Sequence, residues 1–124
     1  MSDQSLYDVV GGMLFFEELT ERFYEGVATD EVLLPMYPED LTDSKRHLAL
    51  FLAQYFGGPS DYHEERGAPV LRQRHFPFPI DDDAAGRWVA HMRTALRRME
   101  IPEDARAEMD TYFEYSAFAL RNRP

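Results

Sequence analysis

Apolar residues recur along this chain at the three-to-four-residue spacing of buried helix faces, and no stretch alternates convincingly enough to read as a strand. Leu6, Val9 and Val10 sit at helical spacing until Gly11-Gly12 breaks the pattern, which predicts a short first helix of about two turns. A second helix begins near Leu14. Its stripe is Phe16, Leu19, Phe23 and Val27 with Tyr24 beside it, and Thr29-Asp30 and Pro35 end it. Met36 to Asp40 form a turn-rich connector, after which Thr42-Asp43 are placed to cap the next helix. There Leu48, Phe51, Leu52 and Tyr55 make an apolar face that also carries Ser44, and Gly57-Gly58-Pro59 stops it.

From Ser60 to about Pro69 the chain is polar, acidic and irregular, a long loop of the kind that usually carries function. It leads into Leu71-Arg72-Gln73-Arg74-His75-Phe76-Pro77. The proline biases Phe76 away from the helical region, so a single turn should end near His75 with Leu71, Arg72 and His75 on one face. Phe76 to Ile80 are too proline-rich for helix or central strand. Asp81-Asp82-Asp83 then favours a helix start, and Trp88, Met92, Ala95 and Met99 form the following stripe. Pro102 is expected as the first residue of the last helix, whose apolar face is Met109, Tyr112, Phe113, Ser116 and Leu120. Four substantial helices and two short ones predict an all-α fold, a single domain over residues 1–124.

Composition narrows what such a domain does. The net charge of −10 argues against nucleic acid and against anionic membrane surfaces. No apolar run reaches the roughly 18 residues of a membrane helix, and Met1 to Ser5 lack the features of a signal peptide, so the expectation is a cytoplasmic protein. With no cysteine, disulfides, iron–sulfur clusters and thiolate ligation are excluded, and a metal would need His, carboxylate, Tyr or Met. Aromatic residues reach 14%, more than a small helical core needs, which leaves some to line a pocket.

Familiar catalytic patterns are missing. The sequence holds no G-x-S-x-G elbow, no phosphate-binding glycine loop and no H-E-x-x-H; His63-Glu64-Glu65 reads as solvent-exposed. What stands out is the recurrence of polar-tipped aromatics, Tyr24, Tyr37 and Trp88, together with the isolated His75. Taken singly, Tyr24 and Trp88 read equally well as core residues, and Tyr37 and His75 as surface residues.

Ordered motifs change that balance. They are Leu6-Tyr7-Asp8-Val9-Val10-Gly11-Gly12; Arg22-Phe23-Tyr24; Met36-Tyr37-Pro38-Glu39-Asp40; Phe51-Leu52 with Gln54-Tyr55 and Gly57-Gly58-Pro59; Arg72, Arg74-His75 and Pro77-Phe78; and Trp88 followed by His91-Met92. In this order, from about Tyr7 to Leu120, the chain resembles the group II truncated haemoglobins. The resemblance implies a two-over-two helical sandwich around haem b. It implies His75 as the iron ligand, Tyr24, Tyr37 and Trp88 as hydrogen-bonding groups on the ligand side, and Ser44 and Leu48 as residues flanking the ligand. Arg74, Tyr62 and His47 fall at positions expected near the haem propionates. His47 stands where the family usually has a permanent cation, Phe56 where it often has Trp, and Pro79 where a basic residue is usual.

The function so implied is reversible binding of O2 and other diatomic ligands at a penta-coordinate iron. The alternative on the same site is a redox enzyme, peroxidase-like or of the nitric oxide dioxygenase type, with an unidentified electron donor. A cofactor-free helical interaction module is the reading without haem. Family members are often homodimers, although no exposed apolar stripe in this sequence marks the interface.

Overall fold

The computed structural model describes residues 4–124. The polar chain start at residues 1–3, read above as carrying no leader, lies outside the described residues. Its centre is helix α2, Met13–Val27, whose Phe16, Leu19, Phe23 and Val27 are all fully buried, as their spacing predicts. Before it comes α1, Leu6–Val10, capped by the Ser5 hydroxyl accepting from the Asp8 amide and closed by Gly11 at φ 113°. A 3-10 turn at Leu34–Met36 leads to α3, Thr42–Tyr55. Two short helices follow, α4 at Asp61–Arg66 and α5 at Leu71–His75. The long pair α6, Asp82–Arg97, and α7, Glu103–Ala119, completes the chain.

Helix α2 packs on α3, α6 packs on α7, and α2 joins the two layers by packing on α6. This is the two-over-two arrangement; among the described residues every regular element is helical. The layers meet on Phe16, Phe23, Phe113, Met92 and Met109, none more than 1% exposed. Aromatic rings carry the contact across, with Phe16 stacked on Phe56 at 6.0 Å and Phe56 edge-on to Phe113 at 6.3 Å between centroids. The Gly57-Gly58 stop also has a packing role. A Cβ on Gly58 would lie 2.6 Å from the Tyr7 ring and 2.8 Å from the Ala53 carbonyl, so the glycine lets α1 seat on the end of α3. The Tyr7 amide donates to the Phe56 carbonyl at 2.9 Å and fixes that seat.

Several local expectations change. Asp40, not Thr42, serves the start of α3, its carboxylate accepting from the Thr42 amide at 2.9 Å. The segment after Gly57 is not wholly irregular, because Asp61 and Glu64 supply the acidic first turn that supports α4. Phe76 adopts helical dihedrals, φ −54° and ψ −39°, despite the proline after it. Turn bonds from the Phe76 amide to the Gln73 carbonyl and from the Phe78 amide to the His75 carbonyl override that bias. Tyr55 is 54% exposed although it falls on the apolar stripe, its ring lying flat on Tyr112 at 4.0 Å. Pro102 caps α7 from outside its first turn. Among the described residues no helix is long and apolar enough to cross a membrane.

Phe16 touches Tyr7, Phe15 and Phe56. Truncating it leaves a cavity in the middle of the two layers, so Phe16→Ala should lower stability by about 3–5 kcal/mol in urea unfolding. A loss below about 1 kcal/mol would mean that the layers do not depend on this contact.

Candidate functional site

Helix α5 is one turn of backbone set between Val70 and Phe76. Val70 enters it at φ 37°, a left-handed conformation that a β-branched side chain rarely adopts. The Arg74 guanidinium holds the approach. Its Nε donates to the Pro69 carbonyl at 2.7 Å, and one Nη donates to the Arg66 and Ala68 carbonyls at 2.9 and 3.3 Å. From this clamped turn His75 faces a cavity of about 390 Å³. The His75 Nδ1–H donates to the Leu71 carbonyl at 2.7 Å, since a carbonyl can only accept. In the neutral imidazole that leaves Nε2 as the ring nitrogen with the lone pair.

All nine side chains singled out in the sequence line this one cavity: Tyr24, Tyr37, Ser44, His47, Leu48, Tyr62, Arg74, His75 and Trp88. Five helices and the connector bring them together, with Tyr62 on α4 and Arg74 and His75 on α5. Helix α2 supplies Tyr24, and the connector supplies Tyr37. Helix α3 supplies Ser44, His47 and Leu48, one turn apart on the face the stripe defines, and α6 supplies Trp88. Leu33, Leu52, Ile80, Ala84 and Ala85 are among the apolar residues of the remaining wall.

Within this wall the three polar-tipped aromatics touch. Tyr24 and Tyr37 meet edge to face at 5.5 Å, and Trp88 leans on Phe23 at 5.0 Å. Burial, then the neighbouring Tyr37 charge and donation to Tyr37, push the Tyr24 hydroxyl far above its ordinary value, so it stays protonated. Burial also raises Tyr37, but less, because its oxygen accepts from Trp88 and from Tyr24. The bonds have a direction: both neighbours donate to the Tyr37 oxygen, an indole N–H being able only to donate.

At the rim the groups are basic. Arg66 donates to His47 Nδ1 at 3.1 Å, and the Arg74 guanidinium lies 5.9 Å from the centre of the Tyr62 ring. Tyr62 is itself buried, edge-on to Phe51 at 5.4 Å. Arg66 was missed in the sequence. It sits four residues after Tyr62, so the two share a face, but that relation exists only once the segment is read as a helix. Tyr112 and Ser116 were seen as apolar-face residues of α7 and also line the cavity; burial lifts the Tyr112 hydroxyl to about 12.

Among the described residues no group of three or more His, Cys, Asp or Glu side chains gathers to hold a bare metal ion. The cavity offers one imidazole lone pair, an apolar wall and a cationic rim. That donor set suits a metal that brings its remaining ligands with it in a large apolar ring bearing acidic groups, which is the chemistry of haem.

Comparison with known proteins points the same way. The family model described as bacterial-like globin matches residues 5–122. The chain is 38% identical over 117 residues to the group 2 truncated haemoglobin YjbI of Bacillus subtilis, covering 94% of this chain and 88% of that protein. It superposes on the thermostable haemoglobin of the actinobacterium Thermobifida fusca with a TM-score of 0.95 and 46% identity, covering 98% and 99% of the two chains. It also matches the solved truncated oxygen-avid haemoglobin of Bacillus subtilis at a TM-score of 0.91 and 36% identity, over 96% of this chain and 100% of that one.

The His47–Arg66 contact has a pH consequence. Burial, and next the Arg66 charge, hold His47 below its ordinary 6.5. The neutral ring is the form the fold prefers, because it must accept from an arginine that can only donate. With the folded-state value depressed, the unfolded chain takes up the proton first, so stability falls as pH drops below 6.5. His47→Gln should flatten the unfolding free energy against pH just below 6.5, read by urea titration at a series of pH values. A slope equal to wild type would contradict this coupling.

Proposed function

Because the chain belongs to the bacterial-like globin family, as a group II truncated haemoglobin with haem as its cofactor, we propose that it binds O2 reversibly at a five-coordinate iron held by His75 and stabilised through Tyr37. The observation that carries the reading is geometric: His75, its Nδ1 bound to the Leu71 carbonyl, lines one largely apolar cavity with Tyr24, Tyr37 and Trp88.

Haem, when bound, supplies the iron at which a diatomic ligand docks and leaves. Each surrounding side chain has a part. The Leu71 carbonyl fixes the tautomer and rotation of the His75 ring and makes its free nitrogen a better donor. Arg66, Arg74 and the Tyr62 hydroxyl are the groups for the acidic edge of the cofactor. Arg74 brings to it only the guanidinium nitrogen that the loop carbonyls leave free. His47 reaches that edge through Arg66, which accounts for its standing where a permanent cation is usual. Ser44 and Leu48 bound the ligand space and keep it narrow.

The phenol trio would set the affinity. A diatomic ligand carrying negative charge would be stabilised by a donor in this dry, low-dielectric wall more than it would be in water. The Tyr37 proton is sharpened by the two bonds its oxygen receives, so Tyr24 and Trp88 act largely through Tyr37 rather than as independent donors. One polarised donor should slow O2 release by a factor of about ten or more, taking roughly 1.5–3 kcal/mol for a charge-assisted bond. The Bacillus subtilis relative described as oxygen-avid is in keeping with tight holding.

The test is stopped-flow O2 release from the ferrous protein. Tyr37→Phe should speed release by about tenfold or more, and Trp88→Phe and Tyr24→Phe by smaller factors, since each leaves the Tyr37 proton in place. Equal rates in Tyr37→Phe and wild type would remove Tyr37 from this role.

A further inference from the structure

A buried carboxylate lies outside the cavity and takes no part in the scheme above. Asp30, in the segment between α2 and the 3-10 turn that leads into the connector, is only 4% exposed at its side chain. Its Oδ1 accepts from the Val32 and Leu33 amides at 2.9 and 3.0 Å and from Arg87 Nη1 at 3.2 Å. Its Oδ2 accepts from His91 Nε2 at 2.7 Å. The two amides belong to the segment that delivers Tyr37. Arg87 and His91 stand one turn apart on α6 and bracket Trp88. One carboxylate therefore ties the connector to α6 on either side of the tryptophan, with four bonds and very little solvent to compete. Helix α2 is shaped to admit the third member: a Cβ on Gly26 would lie 2.4 Å from His91 Nδ1. The glycine and the histidine thus occupy one slot.

We infer that Asp30 and His91 are positioning residues for the ligand site, holding Tyr37 and Trp88 in the register that lets the indole donate to the phenol. The inference rests on the Tyr37–Trp88 reading above. Its physical content is that Tyr37 and Trp88 line one cavity from two elements that no covalent link keeps aligned: Tyr37 follows an irregular segment and Trp88 sits on a rigid helix. A hydrogen bond tolerates only a few tenths of an ångström of slippage before it weakens. The Asp30 carboxylate, anchored at once to the connector backbone and to α6, removes that slippage. His91, which the sequence placed in the Trp88–Met92 motif without a role, acquires one that needs no contact with cofactor or ligand.

The experiment uses the haem-loaded ferrous protein and three readouts: O2 release by stopped flow, the C–O stretching frequency with CO bound, and thermal melting. His91→Ala removes the tie, Gly26→Ala displaces the ring while keeping it, and His91→Gln restores a donor toward Asp30. The expected result is O2 release about fivefold faster in His91→Ala and Gly26→Ala, with a shifted C–O stretch, and recovery of most of both in His91→Gln. In the His91→Ala/Trp88→Phe double variant the two effects should not multiply, because both remove the same bond. If His91→Ala fails to take up haem, Gly26→Ala carries the test alone. Lowered melting with wild-type release and C–O stretch would reduce Asp30 and His91 to structural residues and overturn the inference, leaving the Tyr37 reading intact provided Trp88→Phe still releases faster. Fully multiplicative effects in the double variant would overturn it as well. Wild-type release in both Tyr37→Phe and Trp88→Phe would bring down the reading and the inference together.

Discussion

The hydrogen bond from His75 Nδ1 to the Leu71 carbonyl decides which nitrogen of the ring is free and where it points. Everything else in the cavity is arranged around that choice. A one-turn helix is marginal by itself, and α5 survives because the Arg74 guanidinium is bound to three carbonyls of the preceding loop and because Asn122, at the chain end, donates to the His75 and Phe78 carbonyls. The turn is pinned from both sides, so the imidazole has little freedom beyond the rotation that its own carbonyl partner removes.

The long helices make that pinning worthwhile. With α2 on α3 and α6 on α7, the two layers leave a largely apolar gap, and Tyr24, Tyr37 and Trp88 enter it. An unpaired phenol in such a wall would cost on the order of 1–3 kcal/mol. Tyr24 and Trp88 avoid that cost by both donating to the Tyr37 oxygen. The basic rim serves the opposite end: in a chain of net charge −10, the cations Arg66 and Arg74 are gathered where an acidic cofactor edge would meet the protein.

The long-range plan was legible wherever one residue type dictates a periodicity. The stripe of Phe16, Leu19, Phe23 and Val27 is buried as spaced, the glycine pairs end α1 and α3, and Leu71 to His75 form the expected turn. The resemblance, more than any single residue, gathered Tyr24, Tyr37, Trp88 and His75, and the structure places all four on one cavity. What stayed hidden depends on short-range competition or on distant partners. Helix α4 has too few residues to show a period, so Arg66 had no face to be assigned to. Asp40 accepts from the amide of Thr42 itself, a local choice that spacing does not reveal. Asp30 looked like a helix-ending polar residue, and nothing local announces partners 57 and 61 positions away. The direction of the Tyr24–Tyr37–Trp88 bonds is likewise a property of packing alone.

The central claim is that His75 Nε2 is the protein's bond to the iron, and the most direct measurement is the Soret spectrum of ferrous His75→Gly, reconstituted with haemin, before and after adding free imidazole. The account predicts that the variant loses the spectrum of the five-coordinate histidine-bound form and that imidazole, entering the space the side chain has left, restores it. A wild-type spectrum in His75→Gly without imidazole would contradict it.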